Sequence, residues 1–376
     1  MKMKHRGILF SVIFIGCIIL LYGHPIWFPQ VSTPATDEVR REPSPTSWNY
    51  NPIQADGFAH WIGEELSDFN KVYGNPEEAY PSGFSFSIQH YELENHTHLE
   101  VTTEHNRVTS IKFLGTQDKE ITPFQYGMTM NDLTKLTMVY PNFTINYENH
   151  TVGFELMEDD MNYRPLIAFD NGTFAILFFS QKKTESALYS VMYLDKATLL
   201  KLAPYQVTEG SVPRFSMEED ADWDVINQSK QRQSRHIFQY LRQTDKRPEF
   251  VTDVGTQMTA EQLLGDFIAH SEDFLTTEKE QKLRLIQKGG ESGQFSVGKS
   301  ELADLLAKYK IQEANVYLEL PIYDPTFTIL TWYSTPYLHT RFMHQELESL
   351  GIAFSKENMV VLLQNGQNKV EDSDDN

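Results

Sequence analysis

TAEQLLGDFIAHSEDFL at 259–275, EANV at 313–316 and WYSTPYLHTRFMHQELESLGI at 332–352 are the stretches whose reading decides the fold of the C-terminal part of this 376-residue chain. Thr259 followed by Gln262 predicts a capping box that opens a helix. Behind it, Leu263, Leu264, Phe267, Ile268, Phe274 and Leu275 recur at spacings of three and four on one face. His270 falls in the row 263, 267, 270, 274, where it is either a hydrogen-bonded core histidine or a ligand facing a cleft. Ser300 predicts the start of a second amphipathic helix over ELADLLAKY. NVYLEL at 315–320, TFTILTWYS at 326–334 and MVVLLQ at 359–364 are rich in β-branched and aromatic residues and read as strands.

In this order the three stretches resemble the bacterial form of the CAP superfamily (cysteine-rich secretory, antigen 5, pathogenesis-related 1). Its sequences read HSxDM, then GENIA, then W-x-x-S-P-G-H-R-x-N-I-L and a closing L-G-[VI]-G. The resemblance covers about 220–365 and implies an α/β/α sandwich with two histidines and two glutamates facing a cleft. His270 of AHSEDF matches the first histidine, and Glu313 of EANV matches the glutamate of GENI. Counted without gaps from Trp332, the second histidine position is Leu338; a one-residue insertion places His339 there instead. The other acid is open among Glu278, Glu280 and Glu291. Two matched ligands fall short of the three or four that a zinc site takes, so the resemblance implies no tight metal and no cofactor.

At the other end, Lys2, Lys4 and Arg6 precede an uncharged apolar run at 7–28. As a helix this run would extend about 33 Å, enough to cross the hydrocarbon core of a bilayer. Basic residues stay inside, so the remainder is expected outside the cell, tethered by an uncleaved anchor or secreted after cleavage. The sole cysteine, Cys17, lies in this run, so the exported part forms no disulfide and relies on its cores. A formal net charge of −20 argues against nucleic acid and against docking on anionic lipid.

The expected organisation is a membrane segment at 1–30, a disordered linker rich in Pro, Ser and charge at 31–56, a first domain at 57–212, a second at 220–366 and an acidic tail at 367–376. Within the first domain, WIGEELSDFNKVYGNP (61–76) aligns with YGMTMNDLTKLTMVYPN (126–142), each a helix followed by alternating strands. Two helix-plus-meander units in tandem resemble the CAP-associated N-terminal domain that precedes CAP domains in exported proteins of spore-forming bacteria. The Glu-Asp-Asp run at 158–160 reads as a solvated loop. No Walker loop, G-x-S-x-G, H-E-x-x-H or C-x-x-C is present. The fold class expected is therefore α+β leading into α/β/α. The function expected is a membrane-tethered extracytoplasmic protein that binds an envelope ligand or protein partner without catalysis. The alternative is a metal-dependent hydrolase working from a residual CAP cleft.

Overall fold

The computed structural model describes residues 50–93, 97–115, 121–180, 186–288, 293–311, 314–336, 338 and 349–364. The expected membrane segment and the acidic tail lie outside these, as does the linker up to residue 49. Among the described residues no helix is long and apolar enough to cross a membrane.

Helix α1 (Leu66–Tyr73) leads into β1 (Glu78–Pro81), β2 (Ser87–Leu93), β3 (Thr97–Glu104) and β4 (Arg107–Leu114). His105 and Asn106 both take positive φ in the β3–β4 turn, the two-residue geometry whose twist matches that of the flanking strands. Thr129 and Asp132 form a reciprocal capping box that opens α2 (Met130–Leu136). Then come β5 (Asn142–Tyr147), β6 (His150–Glu155), α3 (Glu158–Tyr163), β7 (Leu166–Ala168), β8 (Phe174–Phe179), β9 (Leu188–Leu194), α4 (Lys196–Leu202) and β10 (Gln206–Glu209). The acidic run at 158–160 is thus a helix start and not a loop. Asp160 turns back to accept from the Met157 N–H and is buried against Arg164.

The two meanders expected from the sequence do not stay apart. Strands of both merge into one antiparallel sheet of order β1-β2-β3-β4-β9-β8-β7, while β5 and β6 leave to form a small sheet with β10. The reason is visible in β8 and β9, where every residue is buried. Phe174, Ile176 and Phe178 enter one core while Ala175, Leu177 and Phe179 enter another on the opposite face. Strands covered on both faces belong in the middle of a sheet.

The C-terminal part adds α5 (Trp223–Thr244), α6 (Val254–Ala269), α7 (Thr277–Gln287), β11 (Phe295–Gly298), α8 (Ala303–Lys308), β12 (Ala314–Leu320), α9 (Pro325–Ser334), β13 (Ser349–Ser355) and β14 (Asn358–Gln364). Its sheet has the order β11-β12-β14-β13 and separates two cores by strict alternation. Met359, Val361 and Leu363 face α5 and α9, and Val360 and Leu362 face the core shared with α6, α7 and α8. This is the α/β/α layering implied by the family resemblance. Gly351 of the Leu-Gly-Ile stretch has a local reason: a Cβ there would lie 2.5 Å from the Thr256 carbonyl oxygen, so only glycine admits α6 so close to β13.

Three sequence expectations change. α6 starts at Val254, capped by Asp253 accepting from the Thr256 N–H at 2.8 Å, so Thr259 lies inside the helix with its hydroxyl donating to Gly255 O. Ser300 does not cap α8; its hydroxyl donates to Glu301. TFTILTWYS is a helix and not a strand. Asp324 accepts from the Phe327 N–H at 2.9 Å and Pro325 occupies the first helical turn. That start signal outweighs the β propensity of the residues behind it. Because α9 is buried nearly all round, no polar face marks its 3.6-residue period.

Helices α5 and α9 lie between the two sheets and serve both. Ile237, Phe238 and Leu241 of α5 and Phe327, Ile329 and Trp332 of α9 share one core with Met192 of the first sheet and Val361 of the second. That core is continuous across 210–220, and the described residues belong to one compact unit.

Candidate functional site

Of the three cleft candidates, only His270 is described; Glu313 and His339 lie outside the described residues. His270 is exposed and follows the last residue of α6, its N–H donating to Asp266 O at 2.9 Å. The helix ends one residue before it, so the apolar row stops at Phe267 and His270 turns to solvent. Leu338 is partly buried against the core that α5 and α9 share.

A second constellation lies where the first sheet meets α5. In an antiparallel sheet, residues directly opposite one another share a face. The pairings Glu78↔His90, His90↔Glu100 and Glu100↔Lys112 therefore set one polar row across β1 to β4, and Glu92↔His98↔Leu114 sets the next. The inner end of the first row is dry: Lys112 is 0% exposed, Glu100 1% and Asp324 4%. The Lys112 ammonium lies 2.8 Å from Glu100 Oε1 and 2.6 Å from Asp324 Oδ2. Glu100 Oε2 also accepts from Thr326 Oγ1 at 2.5 Å and Gln233 Nε2 at 2.8 Å. Burial opposes both charges, but each ion outweighs it for the other: Asp324 and Glu100 hold the Lys112 pKa above its ordinary value, and Lys112 holds that of Glu100 below its own. The network ties β3, β4, α5 and the start of α9 together, so it fixes the polar row on a rigid base.

The outer end of the row opens into a groove of about 670 Å³ between the sheet edge and α5. Glu77, Glu78 and Glu92 supply carboxylates along the strand side, His90 and His98 stand between them, His236 lies on the α5 side, and the Tyr240 ring lines the wall while its hydroxyl donates to Tyr189 O at 3.1 Å. No lysine or arginine is among the described residues lining it. His90 stacks on Tyr80, ring centroids 5.6 Å apart, and its Nε2 is buried with no hydrogen-bond partner among the described residues. Burial pushes its pKa below the usual histidine value, and Glu100 and Glu78 only partly offset this. The ring is therefore neutral at neutral pH. Glu78 is engaged by Arg232 of α5, Nη2 to Oε1 at 2.5 Å, on a half-exposed surface. Sequence reading passed over this groove, although its signal was present: HYE at 90–92 and HLE at 98–100 put a histidine and a glutamate two apart, hence on one face, in strands otherwise apolar there. Among the described residues no group of three or more His, Cys, Asp or Glu side chains is placed to hold a metal ion.

Residues 62–205 match the family described as CAP-associated N-terminal. That segment is a CAP-associated N-terminal domain. Two solved structures share the fold well beyond it. A cysteine-rich secretory protein from Staphylococcus aureus subsp. aureus Mu50 aligns with TM-score 0.64 and 15% identity, over 84% of this chain and 94% of its own. An extracellular protein containing an SCP domain from Bacillus anthracis str. Ames aligns with TM-score 0.62 and 17% identity, over 86% of this chain and 99% of its own. The chain therefore pairs a CAP-associated N-terminal domain with a CAP-like C-terminal fold, and at these identities the likeness is one of fold. Among curated proteins, the uncharacterized membrane protein YlbC of Bacillus subtilis (strain 168) is 26% identical over 246 residues; the match spans 65% of this chain and 65% of that relative's length. The groove lies mainly in the CAP-associated domain, roofed by the first helix of the part that follows it.

Proposed function

We propose that this is an extracytoplasmic, membrane-tethered, non-enzymatic protein that binds an envelope ligand or protein partner. The observation that carries the reading is the groove: an open cleft lined by carboxylate and imidazole side chains on a buried, paired ionic base. Such convergence of polar groups on a rigid concave surface is what binding sites have in common. The location is supported by the uncharged run at 7–28 behind three basic residues, by a relative described as a membrane protein and by a fold neighbour described as extracellular. Protease added to intact protoplasts is expected to remove the folded part while leaving cytoplasmic markers untouched. Survival of that part in protoplasts, with digestion only after lysis, would place it on the wrong side and sink the proposal.

A further inference from the structure

A second cleft, of about 310 Å³, lies where the end of α4 and the connection at 212–217 meet the β12–α9 turn, the β13–β14 turn and the end of α7. It shares no lining residue with the groove. Most of its wall is apolar, and three of its rings pack on one another: Tyr323 stands edge-on to Phe84, centroids 5.0 Å apart, and 4.9 Å from Phe215. Two of its charged side chains are engaged elsewhere. Asp324 holds Lys112 and caps α9, and Lys201 pairs with Glu104 at 2.8 Å.

Glu357 is different. Its backbone is fixed, because its carbonyl accepts from the Ile322 N–H at 2.7 Å and the preceding Lys356 carbonyl accepts from Lys230 Nζ at 3.2 Å. Its Oε2 is nevertheless buried and makes no hydrogen bond among the described residues. Lys230 lies close enough to sense the charge but donates to the Lys356 carbonyl instead. A buried acceptor without a donor costs free energy, and here it borders a cleft large enough for a small molecule to supply one. The terminal torsion of a glutamate is broad, so either oxygen can turn to the cleft. Arg214 lines the same cleft and Lys230 lies against its Phe84 wall, so an ammonium head would meet positive charge, and a carboxylate head would meet Glu357. A hydroxyl adds no charge and donates to the carboxylate in a charge-assisted bond. An apolar cavity of about 150 Å³ is enough for benzene, so this cleft has room for one or two rings. We infer that it is a second binding site, for a small neutral alcohol or phenol whose hydroxyl donates to Glu357 while its apolar body lies among Phe84, Phe215 and Tyr323.

The test uses the full chain in detergent micelles and three single-ring probes, para-fluorobenzyl alcohol, para-fluorotoluene and para-fluorobenzylamine, titrated by fluorine NMR at neutral pH. Affinities are referred to the probe that the micelles leave free, measured without protein. The alcohol is expected to bind about tenfold more tightly than either of the others, the strength of one hydrogen bond to a charged group. Glu357→Gln is expected to weaken the alcohol about tenfold and to leave para-fluorotoluene within about twofold, which also shows that the variant is folded. Equal affinities for the alcohol and para-fluorotoluene would mean a cavity that reads no hydroxyl, and tightest binding by the amine would mean a cation site. An alcohol affinity unchanged by Glu357→Gln would place the probe elsewhere. Each of these results, like the absence of saturable binding, overturns the assignment. The ranking of the three probes is read on the unaltered chain, so it decides the head group whatever the variant does.

Discussion

Lys112→Ala is expected to cost about 3–5 kcal/mol of stability, the range seen when one partner of a buried ion pair is removed and the other charges are left unpaired. In this chain two carboxylates, Glu100 and Asp324, would remain in a dry site with the ammonium gone. The urea midpoint at pH 7 should fall while the dependence on denaturant stays the same, because the surface exposed on unfolding does not change. The triple variant Glu100→Gln/Lys112→Met/Asp324→Asn should lose less than the single one, since neutral partners of similar shape leave no buried charge and asparagine still caps α9. A loss below about 1 kcal/mol for Lys112→Ala would mean that water reaches the site and that the groove has no rigid base. Because α5 and α9 bind both sheets through this network and through the shared core, the loss should also appear as one transition and not as separate melting of the two parts.

Lys230→Met is expected to act in the opposite direction. Lys230 is fully buried on α5 between the rings of Phe84 at 4.6 Å and Trp223 at 5.5 Å, and its Nζ reaches Lys356 O at 3.2 Å. Burial pulls its pKa from 10.5 down to about 7, with Glu357 and Asp324 offsetting only part of that. The folded pKa is thus below the unfolded one, so between about 7 and 10.5 the unfolded chain holds the additional proton and stability rises with pH. Below pH 7 the cost of burying the ammonium is fully present, on the order of 5 kcal/mol. Methionine keeps the apolar stem among the rings and has no charge to bury. Its gain in stability should therefore be several kcal/mol at pH 6 and should shrink towards nothing by pH 11. A gain independent of pH, or a net loss, would show that Lys230 is charged and satisfied where it lies.

Much of the fold was legible because local signals agreed with the tertiary arrangement. The turns at His105-Asn106 and Glu148-Asn149 mark hairpins by their residue types, and the alternation in MVVLLQ is the alternation between two cores. Legibility failed where a segment is buried on all sides. β8, β9 and α9 are buried nearly throughout, so period alone could not say that the first two are interior strands shared by the two meanders or that the third is a helix. Only Asp324-Pro325 carries the helix start, a two-residue signal that a strand reading of the nine residues behind it passes over.

The site was less legible than the fold for a different reason. His270 was singled out by its neighbours in sequence, and the end of α6 one residue earlier turns it outward. The groove needs registers that no single stretch contains: Glu78 opposite His90, Glu92 opposite His98, and α5 passing over both. Even so, a glutamate and a histidine two apart in each of two successive strands was a visible departure from apolar alternation, and it pointed to the right face.

The account stands on the groove being open and facing the outside of the cell, and a single cysteine tests both. In a Cys17→Ser background, Gln239→Cys places a thiol on α5 at the groove wall. A membrane-impermeant maleimide added to intact cells is expected to label it. Labelling that appears only after the cells are lysed would contradict the account.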